Sequence, residues 1–127
     1  MLEDRTSSAI VAVSDLPRAR TFYEDTLGLT LLDGDAENGV LSFRTGETRL
    51  TVYVSDFAGT NKANAVVWSM TGDLVDTVND LKGKGVVFEH YPDMGATMDG
   101  DIHEFGPVKL VWFKDPDGNI LHLNEGM

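Results

Sequence analysis

The chain has 127 residues, 42% hydrophobic and 24% charged, with 21 acidic against 10 basic side chains and a formal charge of −11. That length holds one compact domain or two fused half-domains, and the composition supports a real core rather than disorder. The absence of cysteine excludes a disulfide scaffold, a thiol nucleophile and Cys-ligated zinc or iron–sulfur, and the acid excess speaks against nucleic acid, which needs a basic patch.

No apolar run approaches the roughly 20 residues that span a bilayer. The opening MLEDRTSS has neither the basic nor the apolar region of a signal peptide. A soluble cytoplasmic protein with no membrane partner is expected. The net charge serves solubility, and at a cavity mouth it would favour a cationic ligand.

Taken in order, Ser8–Val13 alternates and is rich in β-branched residues, so it reads as a strand. Asp15 follows as an N-cap, with Pro17 early in the helix where its missing N–H costs least. Leu16, Ala19, Phe22, Tyr23 and Leu27 recur at helical spacing, and Gly28 ends the helix. Short strands near Leu29–Leu32, Gly39–Arg44 and Thr48–Ser55 are separated by turn residues.

The second half repeats this order. Asn64–Met70 is strand-like, Asp73 is again a cap, and Leu74, Val75, Val78 and Leu81 form a helical face stopped by Gly83 and Gly85. Val86–His90 is the next strand. Residues 92–107 read as a loop. Val108–Lys114 and Asn119–Asn124 are strands joined by Asp115-Pro116-Asp117-Gly118, a hairpin-turn signal. Asp15 to Gly28 spans 13 positions and Asp73 to Gly85 spans 12. The reading is α+β: two βαβββ modules, about residues 6–55 and 64–125, forming a curled mixed sheet around a concave cavity within a single domain, 1–127.

Alternate strand residues share a face. With Leu50, Val52, Val54, Leu121 and Leu123 assigned to the helix side, the cavity would be lined by Ser8, Thr51, Tyr53, Val66, Trp68 and His122. That mixture of aromatic, apolar and a few polar groups suits a small molecule.

Three segments carry a family resemblance. Val13-Ser14-Asp15-Leu16 followed by Phe22-Tyr23-Glu24-Asp25-Thr26-Leu27-Gly28-Leu29 resembles the opening of the vicinal oxygen chelate superfamily, which includes glyoxalase I, extradiol dioxygenases and bleomycin- and fosfomycin-resistance proteins. Asp73-Leu74 through Gly85-Val86-Val87-Phe88-Glu89 is similar to its second-half counterpart, and Trp112-Phe113-Lys114-Asp115-Pro116-Asp117-Gly118-Asn119-Ile120-Leu121 to its closing hairpin.

The resemblance implies a βαβββ repeat, a small-molecule ligand and a homodimer. It also implies four metal-ligand positions, filled in metal-using members by His, Glu or Gln. The first and third lie seven residues before each helix-opening Asp, at Ser8 and Val66; the second is Thr51 or Tyr53; the fourth, four residues after Gly118, is His122. Only His122 readily ligates a divalent ion. No metal site and no cofactor are therefore expected, with a divalent ion the lesser alternative.

The expected function is metal-independent binding of an aromatic or cationic compound. The alternative is a lyase, isomerase or dioxygenase-type enzyme with an atypical or absent metal site. His122 is the best catalytic candidate, because an imidazole titrates near neutrality. Asp99, Asp101, His103 and Glu104 cluster before the strand at Val108 and read as a solvated acidic loop.

Overall fold

The computed structural model describes residues 1–35 and 37–127. By its contacts the chain divides into two units, Met1–Thr60 with Pro116–Asn119, and Asn61–Asp115 with Ile120–Met127.

The first unit begins with β1 (Ala9–Val13) and α1 (Leu16–Arg20), which continues as a π-helical segment, Thr21–Thr26. Strands β2 (Thr30–Asp35), β3 (Val40–Thr45) and β4 (Thr48–Val54) follow. The sheet order is β1-β4-β3-β2, with β1 parallel to β4 and the other pairs antiparallel. Asp15 caps α1 as the sequence suggests, its carboxylate accepting from the Arg18 amide at 3.0 Å.

The helix then widens, and the Leu27 amide donates to the Phe22 carbonyl five residues back at 2.9 Å. The extra residue turns Tyr23 fully inward and leaves Phe22 half-buried. Gly28, at φ 73°, ends the segment in a conformation that suits glycine. Tyr23 meets Phe43 at 6.0 Å between ring centroids, so the helix covers the face bearing Phe43, Leu41, Leu50, Val52, Val11 and Val13.

The Asp-Pro-Asp-Gly turn belongs to this unit. Asp117 accepts from the Ser14 amide at 3.1 Å, from the Ser14 hydroxyl at 2.5 Å and from the Arg18 guanidinium at 3.1 Å. The Asn119 side-chain amide donates to the Ala12 carbonyl at 2.8 Å. The motif therefore does more than reverse the chain: it fastens the end of β1 and the first turn of α1.

The second unit contains β5 (Asn64–Met70), α2 (Leu74–Gly83), β6 (Phe88–Glu89), β7 (Thr97–Asp99), β8 (Ile102–Phe105), β9 (Val108–Lys114) and β10 (Ile120–Glu125). The order is β5-β10-β9-β8-β7, with β6 also paired to β9; β5 runs parallel to β10. With two α-helices and two mixed sheets among the described residues, the fold is the expected α+β class.

Several local expectations change. The stretch 92–107 is not a plain loop: after a 3-10 turn at Pro92–Met94, β7 and β8 form a hairpin closed by Gly100 at φ 61°. The signal is Gly100-Asp101, a two-residue hairpin loop with glycine first. Asp73 does not cap α2 with its side chain; its carboxylate accepts from the Thr71 amide, and Glu125 takes the Leu74 amide at 3.1 Å. That bond faces Glu125, and with it Leu123 and Leu121, toward α2. Val75, expected on the apolar face of α2, is 45% exposed.

Candidate functional site

Strand register decides which expected site residues can stand together. In the first unit Thr51 and Tyr53 lie on the sheet face away from α1, in the row of Arg49. Both are half-buried. Ser8 lies just before β1, exposed, with its hydroxyl 3.1 Å from the Thr48 hydroxyl. Ser8 and Thr48 border an open pocket of about 490 Å3 whose wall also includes Thr6, Arg44, Glu47 and Arg49.

In the second unit β5 carries a bulge: Ile120 pairs with Asn64, but Leu121 pairs with Val66. One skipped residue reverses the facing of all that follow, because side chains alternate with a period of two. Val66 and Trp68 consequently share the row of Leu121 and Leu123, and Val67 takes the place beside His122. The sequence expects Val66 and Trp68 in the row of His122, since nothing in it marks the bulge at Ala65. Asn64, before the bulge, still accepts from the Trp112 indole N–H at 3.1 Å.

His122 sits in an aromatic wall that sequence reasoning did not assemble. Its ring stacks on Trp112, with centroids 4.7 Å apart and planes at 19°. Trp112 meets His103 edge-on at 5.0 Å and Tyr91 at 5.2 Å. The pairings of His122 with Trp112 and of His103 with Leu110 put these groups on one face of β8–β10. Only the even-numbered phase of Leu110 and Trp112 hinted at this wall, and His103 was hidden in the presumed acidic loop.

Hydrogen bonds fix the protons of these two histidines. A carbonyl can only accept, so His122 Nδ1 donates to the Val111 carbonyl at 3.0 Å and leaves Nε2 as an acceptor. His103 Nε2 accepts from the Tyr91 amide at 2.9 Å, which places its proton on Nδ1. That Nδ1 is buried. Burial disfavours the imidazolium and lowers both pKa values; the backbone of Val111 opposes this in part for His122, and the backbone of Leu110 and Asp101 does so for His103.

The acidic cluster before β9 also differs from a solvated loop. Asp101 accepts from Lys82 at 2.8 Å and faces His90 Nε2 at 2.7 Å. The bond from Lys82, then that from His90, holds its carboxyl below the usual range. His103 is completely buried.

A divalent ion asks for imidazole or carboxylate donors. The four positions implied by the resemblance carry a hydroxyl at Ser8, a hydroxyl or phenol at Thr51 or Tyr53, an alkyl group at Val66 and one imidazole at His122. Among the described residues no three His, Cys, Asp or Glu stand close enough together to hold a metal. This donor set does not fit a divalent ion.

These features define an α+β protein built from a repeated strand–helix–sheet unit, with polar and aromatic groups on the sheet faces away from the helices. Over residues 5–123 the sequence matches the model of the Glyoxalase/Bleomycin resistance protein/Dioxygenase superfamily, and the chain belongs to that superfamily. It is 22% identical to the virulence protein STM3117 of Salmonella typhimurium, over 98% of this chain and 86% of that one.

Among solved structures it is similar to the fosfomycin resistance protein FosX of Listeria monocytogenes, with 13% identity, a TM-score of 0.76 and coverage of 100% of this chain and 94% of that one. It is also similar to lactoylglutathione lyase of Agrobacterium tumefaciens, with 17% identity, a TM-score of 0.70 and coverage of 97% and 94%. Likeness at such identity establishes the fold and leaves the chemistry to this chain's own residues. Among the described residues no helix is long and apolar enough to cross a membrane.

Proposed function

We propose that this protein binds a small molecule without a divalent ion, the ligand being an aromatic or cationic compound held against the sheet. One observation carries the reading: of the four implied ligand positions only His122 offers a metal donor. The aromatic wall of Tyr91, Trp112 and His122 supports an aromatic ligand. The net charge of −11 supports a cationic one. A cytoplasmic homodimer accompanies this reading.

Elemental analysis of protein purified without added ions tests the first part, with no stoichiometric metal expected. A thermal-shift screen of aromatic and cationic compounds, with and without chelator, tests the second. A ligand specific to the folded state raises the melting point, by about 2.7 kcal/mol of stability at a hundredfold excess over Kd. Stoichiometric metal, or hits that disappear with chelator, would defeat the proposal.

One feature favours the enzymatic alternative, a lyase or isomerase. His122 is held as a neutral imidazole with Nε2 available to take a proton. Turnover of any substrate that vanishes in His122→Ala would establish that alternative over plain binding.

A further inference from the structure

Arg44 on β3 and Arg49 on β4 are directly opposite each other. Like charges at such positions destabilise an antiparallel pair, and this chain, with 10 basic residues among 127, spends two of them there. Neither is neutralised firmly. Arg44 makes no ion pair among the described residues; Arg49 donates to the buried Ser42 hydroxyl at 3.2 Å, which leaves its charge in place, and reaches Asp33 only at 3.5 Å, where the Asp33 side chain is 72% exposed. Both arginines border the pocket of about 490 Å3, together with the hydroxyls of Thr6, Ser8 and Thr48.

We propose that this pocket is an oxyanion subsite, taking the carboxylate or phosphate group of a small molecule between Arg44 and Arg49. The inference rests on the small-molecule reading above and adds an acidic group to the ligand. A guanidinium presents a planar fork of donors that matches two oxygens of such a group, so an anion between the two forks makes charge-assisted bonds and offsets their repulsion. Thr48 donates its hydroxyl proton to the Ser7 carbonyl at 2.8 Å and the Ser8 hydroxyl lies against Thr48, so Thr6 is the bordering hydroxyl left to donate to a remaining oxygen. Asp33 is a loose, solvent-screened competitor for Arg49. Glu47, also in the wall, opposes the anion and tunes its affinity downward. The overall charge of −11 slows an anion's approach, so discrimination comes from contact rather than steering.

The test uses the full chain, with inorganic phosphate and phenylacetate as separate probes. Arginine side-chain NMR shifts and melting temperature are followed across the millimolar range at fixed ionic strength. Saturable shifts at Arg44 and Arg49 are expected. Arg44→Gln and Arg49→Gln should each weaken binding about tenfold or more, Glu47→Gln should strengthen it, and Arg20→Gln should change nothing.

Relief of the like-charge contact gives an independent readout. Without anion, Arg44→Gln should melt at or slightly above the wild-type temperature, up to a few degrees higher, so its lost binding cannot be ascribed to misfolding; Arg49→Gln also gives up the bond to Ser42 and is read by binding alone. The response to the two probes tells whether phosphate or carboxylate is preferred. Equal binding in wild type and Arg44→Gln, or no saturation with either probe, overturns the proposal. If aromatic or cationic compounds still bind in that case, the subsite alone is wrong; if phosphate binds but no organic compound does, the small-molecule reading fails instead.

Discussion

Removing the Asp117 carboxylate should loosen the first unit measurably. The group is 7% exposed and accepts from the Ser14 amide, the Ser14 hydroxyl and Arg18. Hydrogen bonds to a charged acceptor are each worth about 1.5–3 kcal/mol when lost. The Arg18 pair adds little, because its guanidinium side is 47% exposed, and exposed pairs contribute about 0–1 kcal/mol. Water can reach Ser14 once the carboxylate is gone, so the bonds do not sum fully. Asp117→Ala should therefore cost about 2–3 kcal/mol. For a chain of this length that lowers the melting temperature by roughly 7–11 °C. Asp117→Asn, which keeps the shape and one oxygen, should cost about half as much, and Asp56→Asn, at an exposed acid, almost nothing. Calorimetry or circular dichroism reads these shifts, and a Ser14→Ala cycle should show coupling above about 0.5 kcal/mol. A drop in Asp117→Ala no larger than in Asp56→Asn would falsify the assignment of Asp117 as a clasp.

Three further outcomes follow from the geometry. Gly59→Ala should prevent normal folding of the first unit: Gly59 has φ 75°, and an added Cβ would lie 2.1 Å from the Asp117 carbonyl oxygen; soluble yield and melting temperature check this, and a wild-type profile would refute it. Glu125→Ala leaves the Leu74 amide at the start of α2 without its acceptor, and a loss of about 1 kcal/mol is expected by denaturant titration, whereas Glu104→Ala serves as the neutral control. Acid should weaken the second unit as its two buried histidines are forced to take up protons. His103 and His122 have folded pKa values below the unfolded value near 6.5, so the unfolded chain binds protons first and stability falls as pH drops below about 6.5, by at most about 1.4 kcal/mol per pH unit for each histidine. The contribution of Asp101, whose carboxyl is held low by Lys82 and His90, disappears only at lower pH, below its ordinary 3.8. Melting temperatures between pH 7.5 and 4.5 for wild type and for His103→Gln with His122→Gln would show this; parallel curves would sink the claim.

Much of the fold was legible because its signals are local and strong. Asn64–Met70 and Val108–Lys114 are short apolar runs rich in valine and aromatic residues, and they form strands with those bounds. Asp15 and Pro17 mark a helix start, and Gly28 an end. The departures arise where long-range pairing overrides local pattern. A single skipped residue between Asn64 and Val66 moved Val66 and Trp68 out of the His122 row, and no residue type announces such a bulge. The α2 cap comes from Glu125, 51 residues away, while the nearer Asp73 turns back to Thr71. His103 is hard to place from sequence because Asp101 and Glu104 around it suggest solvent, whereas its pairing with Leu110 on β9 puts it in a buried row, with the adjacent Ile102 buried as well. The arginine pair was invisible for a similar reason: Arg44 and Arg49 are close in sequence, but only the tight turn at Gly46 makes them face each other.

The return of Pro116–Asn119 to the first unit bears on how such a chain can be cut and recombined. A half-length fragment ending at Thr60 carries every strand of its own sheet yet lacks the carboxylate that Ser14 and Arg18 grip and the amide that caps the Ala12 carbonyl. Two halves exchanged between relatives would have to match at this borrowed turn as well as at the point of joining. Duplication can copy the unit, but afterwards neither copy is free to leave, because four residues of the later segment have become structural parts of the earlier one.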